Sequence, residues 1–184
     1  MKDLPSRGAA ETLAGGLLAP LGNRWRHTQA VAARAEQLAE AVPVADRDLL
    51  VVAAWFHDLG YAPELALLKF HQLDGARFLE AEGFPPRLCA LVAHHSAATF
   101  EADERGLLDQ LVAWPQEDGP VADALWMADM TTDPTGKLVE YPDRLDEILA
   151  RYAPDSVVAR AMSRARAAIE GAIRRTEQRI AALR

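Results

Sequence analysis

Positions 49 to 56 read Leu-Leu-Val-Val-Ala-Ala-Trp-Phe and lead straight into His57 and Asp58. A helix that is apolar on every face is buried on every face. This segment therefore has to lie at the centre of whatever the chain folds into. The acid at its end is the constraint that follows. An ionised carboxylate beside such a core costs several kcal/mol unless a cation or a hydrogen-bond donor meets it. A metal ion, an arginine or a backbone cap would each serve.

The surrounding pattern is helical. Residues 23–41 carry Ala30, Val31, Ala35 and Leu38 at helical spacing, and Pro43 stops them. Gly60 and Pro63 end the apolar helix. Further helices are expected at 63–69, 71–82, 87–95, 103–113, 120–131, 142–151 and 155–183. Leu13 to Leu21 is apolar but is interrupted by Gly15, Gly16 and Pro20. No segment alternates as a strand would. The expectation is an all-α, single-domain helical bundle over residues 1–184.

Composition narrows the function. Half the residues are apolar, and no stretch is long enough to cross a bilayer or act as a signal peptide. The single cysteine, Cys89, can form neither an internal disulfide nor a cysteine metal cluster. These features lead to a cytoplasmic expectation with no membrane partner. A net charge of −7 argues against long nucleic acid but leaves a small phosphorylated substrate open if a local cation is present. From Asp155 onward the balance reverses, with seven arginines against three acids, as on a solvated helix face. Val157, Val158, Ala161, Met162, Ala165, Ala168, Ile169, Ala172 and Ile173 form an apolar stripe there. It could serve a homodimer or packing within the chain.

Polar residues on other apolar faces supply candidates to meet Asp58. His27 shares a face with Val31 and Leu38, and Asp129 follows Leu125 and Val121 on its own stripe. Three helices thus aim histidine or aspartate inward. Imidazole and carboxylate together are a ligand set for a divalent transition metal.

The ordered set His27, His57–Asp58, Asp129 resembles the signature of the HD-domain superfamily. RWRHTQAVA (Arg24 to Ala32) is similar to its first-helix motif, WFHDLGY (Trp55 to Tyr61) to its His-Asp turn, and WMADMTT (Trp126 to Thr132) to its final Ala-Asp motif. The resemblance covers about residues 24–132 and makes 140–184 a helical extension. It implies a metal-dependent phosphohydrolase acting on a phosphate ester or anhydride, a nucleotide first among the candidates. His57 and Asp58 would be the catalytic pair. Several relatives bind a second ion through added histidines. Here His71, opening HQLDGARFL, and His94 and His95 are the candidates, so all five histidines fall in the implied site. Helical phase favours His95 over His94, because it extends the stripe of Leu88, Leu91 and Val92.

The resemblance further implies that His27, His57, Asp58 and Asp129 hold one ion, with Asp58 bridging to a second. The ions expected are Mn, Fe, Co or Ni, with Mg less suited to so many imidazoles. Arg26, Tyr61, Lys69 and Lys137 are candidates to meet substrate. Asp74, Asp123 and Asp133 are candidates to orient imidazoles. Trp25, Trp55, Trp114 and Trp126 belong by default to the core. Three departures limit the choice of substrate. Tyr61 stands where many two-metal relatives have lysine. SAATFEA follows His95 in place of the Gly-Tyr-Pro of the cyclic-dinucleotide branch. HDLGYA lacks the Glu-Asp pair of the alarmone-hydrolase branch. Two alternatives share these ligands: an HD-type two-iron oxygenase, and a catalytically idle nucleotide-binding or interaction module.

Overall fold

The computed structural model describes residues 2–183, and among these there are ten helices and no strand. They are α1 Arg7–Leu18, α2 Asn23–Leu38, α3 Arg47–Phe56, α4 His71–Ala81, α5 Pro86–Ala93, α6 Ala98–Arg105, α7 Leu108–Leu111, α8 Pro120–Met130, α9 Tyr141–Arg151 and α10 Val157–Ala181. Every residue of α3 from Leu49 to Phe56 is buried, as the apolar run demands. Helices α1, α2, α5 and α8 pack around it. Helix α10 lies along α8 and α6. No helix among the described residues is long and apolar enough to cross a membrane.

Helix α1 is absent from the sequence expectation, which took its glycines and Pro20 as breakers. Ser6 caps it, its side chain accepting from the Ala9 N–H, and Ala10, Ala14 and Leu18 bury one stripe. Gly15 lies against the Trp25 ring, where a Cβ would stand in van der Waals contact at 3.4 Å. Trp25 in turn packs on Trp55, with ring centroids 5.7 Å apart.

The segment 63–69 is not the helix expected there. The Asp74 carboxylate instead accepts from the main-chain N–H groups of Leu68 and Phe70, and Lys69 has a φ of +53°. Those bonds tie the loop to the first turns of α4 and hold it in irregular turns. The expected helix over 103–113 is likewise two, because Gly106 with a φ of +68° closes α6.

Two close approaches position the site. A Cβ on Gly60 would lie 2.1 Å from the His71 carbonyl oxygen and 2.7 Å from the Gly75 nitrogen. Only glycine allows the turn after Asp58 to press onto the start of α4. After α5, Ser96 and Ala97 take φ values of +51° and +59° in succession. This left-handed pair turns the chain sharply between α5 and α6. Non-glycine residues adopt such a conformation only where the surroundings enforce it.

Arginines of α10 clasp the acids of neighbouring helices. Arg160 and Arg164 pair with Glu104, and Arg175 and Arg179 pair with Asp123. Asp123 is thus committed to the C-terminal helix and not to an imidazole. Ala161, Ala165, Ile169 and Ala172 are buried within the chain, which accounts for the apolar stripe without a second copy.

Candidate metal centre

Helix α2 contributes Arg24 and His27, one turn apart. The end of α3 contributes His57 and Asp58. His71 is the first residue of α4, His95 and Ser96 follow α5, and Asp129 lies near the end of α8. Histidine and aspartate atoms gather in two groups, each with its ligand atoms within 4.8 Å of one another: His27, His57 and Asp129; and Asp58, His71 and His95. Asp58 joins the groups. Its Oδ2 lies 3.3 Å from His57 Nε2 and 3.9 Å from His27 Nε2, while its Oδ1 lies 3.5 Å from His71 Nε2. The two oxygens of one carboxylate therefore face the two groups.

The tautomers follow from the carbonyls. A carbonyl oxygen can only accept, so the nitrogen against it must carry hydrogen. His27 Nδ1 donates to the Asp133 carbonyl at 3.1 Å, His57 Nδ1 to the Ala54 carbonyl at 2.7 Å, and His95 Nδ1 to the Val92 carbonyl at 2.7 Å. In the neutral rings each Nε2 is left with a lone pair. Those lone pairs converge on acceptors. His27 Nε2 is 3.0 Å from Asp129 Oδ1, and His95 Nε2 is 3.1 Å from His71 Nε2. His57 Nε2 is buried with no hydrogen-bond partner. Nitrogen lone pairs and carboxylate oxygens held this close repel unless a proton or a metal cation stands between them. The donor set therefore fits a divalent metal ion, with Asp58 shared between the two groups.

Without an ion, charge is arranged around the carboxylates. Burial acts against the charged forms of Asp58 and Asp129. Arg24 and His57 nevertheless hold Asp58 well below the usual carboxylate range, and His27 and His57 do the same for Asp129. Burial disfavours a charged His57, but Asp58 and Asp129 outweigh it and push the imidazole up to about 9. His95 is pushed down to about 4 by burial and by His57. His71 is also driven well down, by burial and by His95, against the pull of Asp58. His71 and His95 are thus neutral and ready to ligate at pH 7, and a proton occupies His57.

Two residues of this site were not among the sequence candidates. Arg24 Nη1 donates to Asp58 Oδ2 at 2.6 Å, and its guanidinium lies 3.9 Å from the centre of the Tyr61 ring. Its position one helical turn before His27 was the signal available. Ser96 Oγ donates to Asp129 Oδ2, leaving Oδ1 to face the imidazoles. Nothing in the sequence marks it, because the left-handed turn that aims it is set by packing.

Other candidates lie elsewhere. His94 belongs to neither group. Its Nε2 donates to the Trp114 carbonyl at 2.7 Å, so His95 alone of the pair faces the site. Arg26 is exposed and bonds Asn23, and Lys69 and Lys137 are exposed and do not line the site cavity. Tyr61 does line it and stacks on His71, with ring centroids 4.1 Å apart. Asp133 serves His27 through its main chain, and Gly136 lets that loop lie against the Arg26 carbonyl. None of the four tryptophans lines the cavity.

The cavity, of ≈ 100 Å³, opens beside Asp58, His71, His95 and Asp129. Arg24, Tyr61 and Gln72 form one side of it. Helices α9 and α10 supply another, through Arg144, Ile148, Arg151, Val158 and Met162.

A helical bundle that buries a paired histidine–aspartate cluster at the floor of a cavity has the form of a metal-binding protein. The chain belongs to the HD-domain family, a superfamily of metal-dependent phosphohydrolases: the family model matches residues 24–165. The match runs past the core expected at 24–132 and takes in α9 and the first part of α10. Comparison with curated proteins and with solved structures finds no significant match.

Proposed function

We propose that this protein is a metal-dependent phosphohydrolase that cleaves a small phosphate ester or anhydride, with nucleotides the first class to test. One observation carries the reading. Three imidazoles have their Nδ1 hydrogens committed to main-chain carbonyls, and their Nε2 atoms converge with the carboxylates of Asp58 and Asp129. His27, His57 and Asp129 would hold one ion and His71 and His95 a second, with Asp58 between them. Bound there, divalent ions supply Lewis acidity toward a phosphoryl oxygen and lower the pKa of a water into the neutral range.

The chain does the positioning. The Ala54, Val92 and Asp133 carbonyls fix the imidazole tautomers and ring angles. Ser96 fixes the Asp129 carboxylate, and Arg24 fixes Asp58. Arg24 commits Nη1 to Asp58 and lines the cavity, so its other N–H groups are available to a phosphate oxygen. The buried floor excludes bulk water, which strengthens each of these interactions.

The test is metal analysis of the purified protein, followed by a screen of the metal-loaded form. The panel comprises nucleoside mono-, di- and triphosphates and simple phosphoesters, with His57→Ala as the control. Stoichiometric transition metal and phosphate release lost in the control are expected. Protein that takes up no metal would sink the reading in favour of an idle binding module. Oxygen consumption by the iron-loaded protein without phosphate release would replace it with an oxygenase.

A further inference from the structure

The cavity wall contributed by α9 carries charge that the metal centre does not use. Arg144, Ile148 and Arg151 stand at i, i+4 and i+7, so they share one face of α9, and all three line the cavity. Both guanidiniums rely on the same carboxylate. Arg144 Nη1 donates to Glu147 Oε2, and Arg151 Nη2 donates to that oxygen at 3.0 Å. Two cations against one acid leave an excess of +1 on this wall. The other acid at that end of the cavity, Glu101, is bonded to Arg105 at 2.7 Å. No ion pair or hydrogen bond links Arg144 or Arg151 to the metal-site residues among the described residues. Asp58 already has Arg24.

Arg144 is the sharper case. Its side chain is 8% exposed, its single acidic partner is on the solvent side at 39%, and its Nε has no hydrogen-bond partner. A guanidinium this buried with unmet donors costs several kcal/mol, and such residues in clefts mark binding sites. Between the two arginines, Ile148 meets Val158 and Met162 at the cavity as an apolar strip.

We infer that Arg144 and Arg151 bind a second anionic group of the substrate, so that the substrate is a compact molecule with a phosphate at one end and a carboxylate or phosphate at the other. A short apolar segment would cross the Ile148 strip. This rests on the phosphohydrolase reading for the first phosphate and adds the recognition of the far end. Planar guanidiniums suit either anion through paired N–H groups.

Phosphonates, which are not hydrolysed, test this without turnover. Binding of 3-phosphonopropionate and of propylphosphonate to the metal-loaded protein is measured by titration calorimetry. Wild type is expected to bind the diacid at least about tenfold more tightly, the scale of one charge-assisted pair. Arg151→Gln, at a half-exposed position that leaves folding intact, should remove most of that preference while the affinity for propylphosphonate stays the same. Arg144→Gln should do likewise. Glu147→Gln frees both arginines and should widen the preference, an effect that a merely structural Arg–Glu pair would not give. Equal affinity of wild type for the two phosphonates, or a preference untouched in Arg151→Gln and Arg144→Gln, overturns the inference and leaves the phosphohydrolase reading standing. Failure of both compounds to bind metal-loaded protein overturns both.

Discussion

At the scale of single residues, the two neighbouring histidines show how far one position can move a role. His94 and His95 differ by one step of chain, yet one bonds the Trp114 carbonyl and the other meets His71. Replacing His94 with Gln should therefore cost about 1 kcal/mol of stability for the altered hydrogen bond and leave bound metal unchanged. Replacing His95 with Gln should lower metal content and cut the proposed phosphohydrolase activity by more than about 100-fold, since even supporting partners of metal ligands commonly cost 10–100-fold. Metal analysis and initial rates on both variants check this. His57 adds a pH signature. Its imidazole is pushed up to about 9 in the ion-free protein, so a metal must displace a proton at neutral pH. Apparent metal affinity should rise about tenfold per pH unit from 7 toward 9 and flatten above it, as read by competition with a chelator of known pH dependence. Most residues of the two candidate ligand groups were legible because each is a polar residue on an otherwise apolar stripe, a pattern that burial makes expensive. Arg24 and Ser96 were not. Arg24 shares the inward face of His27, but an arginine in the first turn of a helix reads as solvated until tertiary packing brings Asp58 to it, and Ser96 is aimed by a backbone turn that no residue type announces.

At the scale of elements, the helices with continuous apolar faces were readable, and the connections between them were not. Helix α3 is placed by its own sequence. The segment after Pro63 is held by Asp74, eleven residues on, and such a distant claim on main-chain N–H groups leaves no periodic trace. Helix α1 was hidden because its glycines look like breakers and its buried stripe of Ala10, Ala14 and Leu18 is too small to read as a strong apolar face. The contact of Gly60 with α4 is the most exacting joint. A methyl group there would stand 2.1 Å from a backbone oxygen that cannot rotate away. Gly60→Ala should destabilise the fold by about 3 kcal/mol or more. It should also impair metal binding by moving His71 off Asp58. Thermal melting and metal content report the two effects separately, and a variant with wild-type melting and full metal would contradict the geometry.

For the molecule as a whole, the buried titrating groups set a stability profile that differs with and without metal. In the ion-free protein His57 has a raised pKa, so its contribution is full below about 6.5, its unfolded value, and fades as pH climbs through about 9. His95, at about 4 against the same 6.5, acts oppositely: the unfolded chain takes up a proton first, and stability falls as pH drops from 6.5 toward 4. Asp58 and Asp129, held low, add further loss in strong acid. Melting temperature of the ion-free form should peak between about pH 6 and 7. Metal should remove the alkaline decline, because a ligated His57 no longer carries the proton. Scanning calorimetry from pH 5 to 9 with and without chelator measures this, and identical profiles would count against ligation by His57. The division of labour along the chain has an evolutionary corollary. Every candidate metal ligand lies before position 130, whereas the surface that a substrate's outer end would touch is built after position 140. On the proposed function, mutations in the last two helices would re-tune which molecules are accepted while the candidate ligand set is inherited untouched.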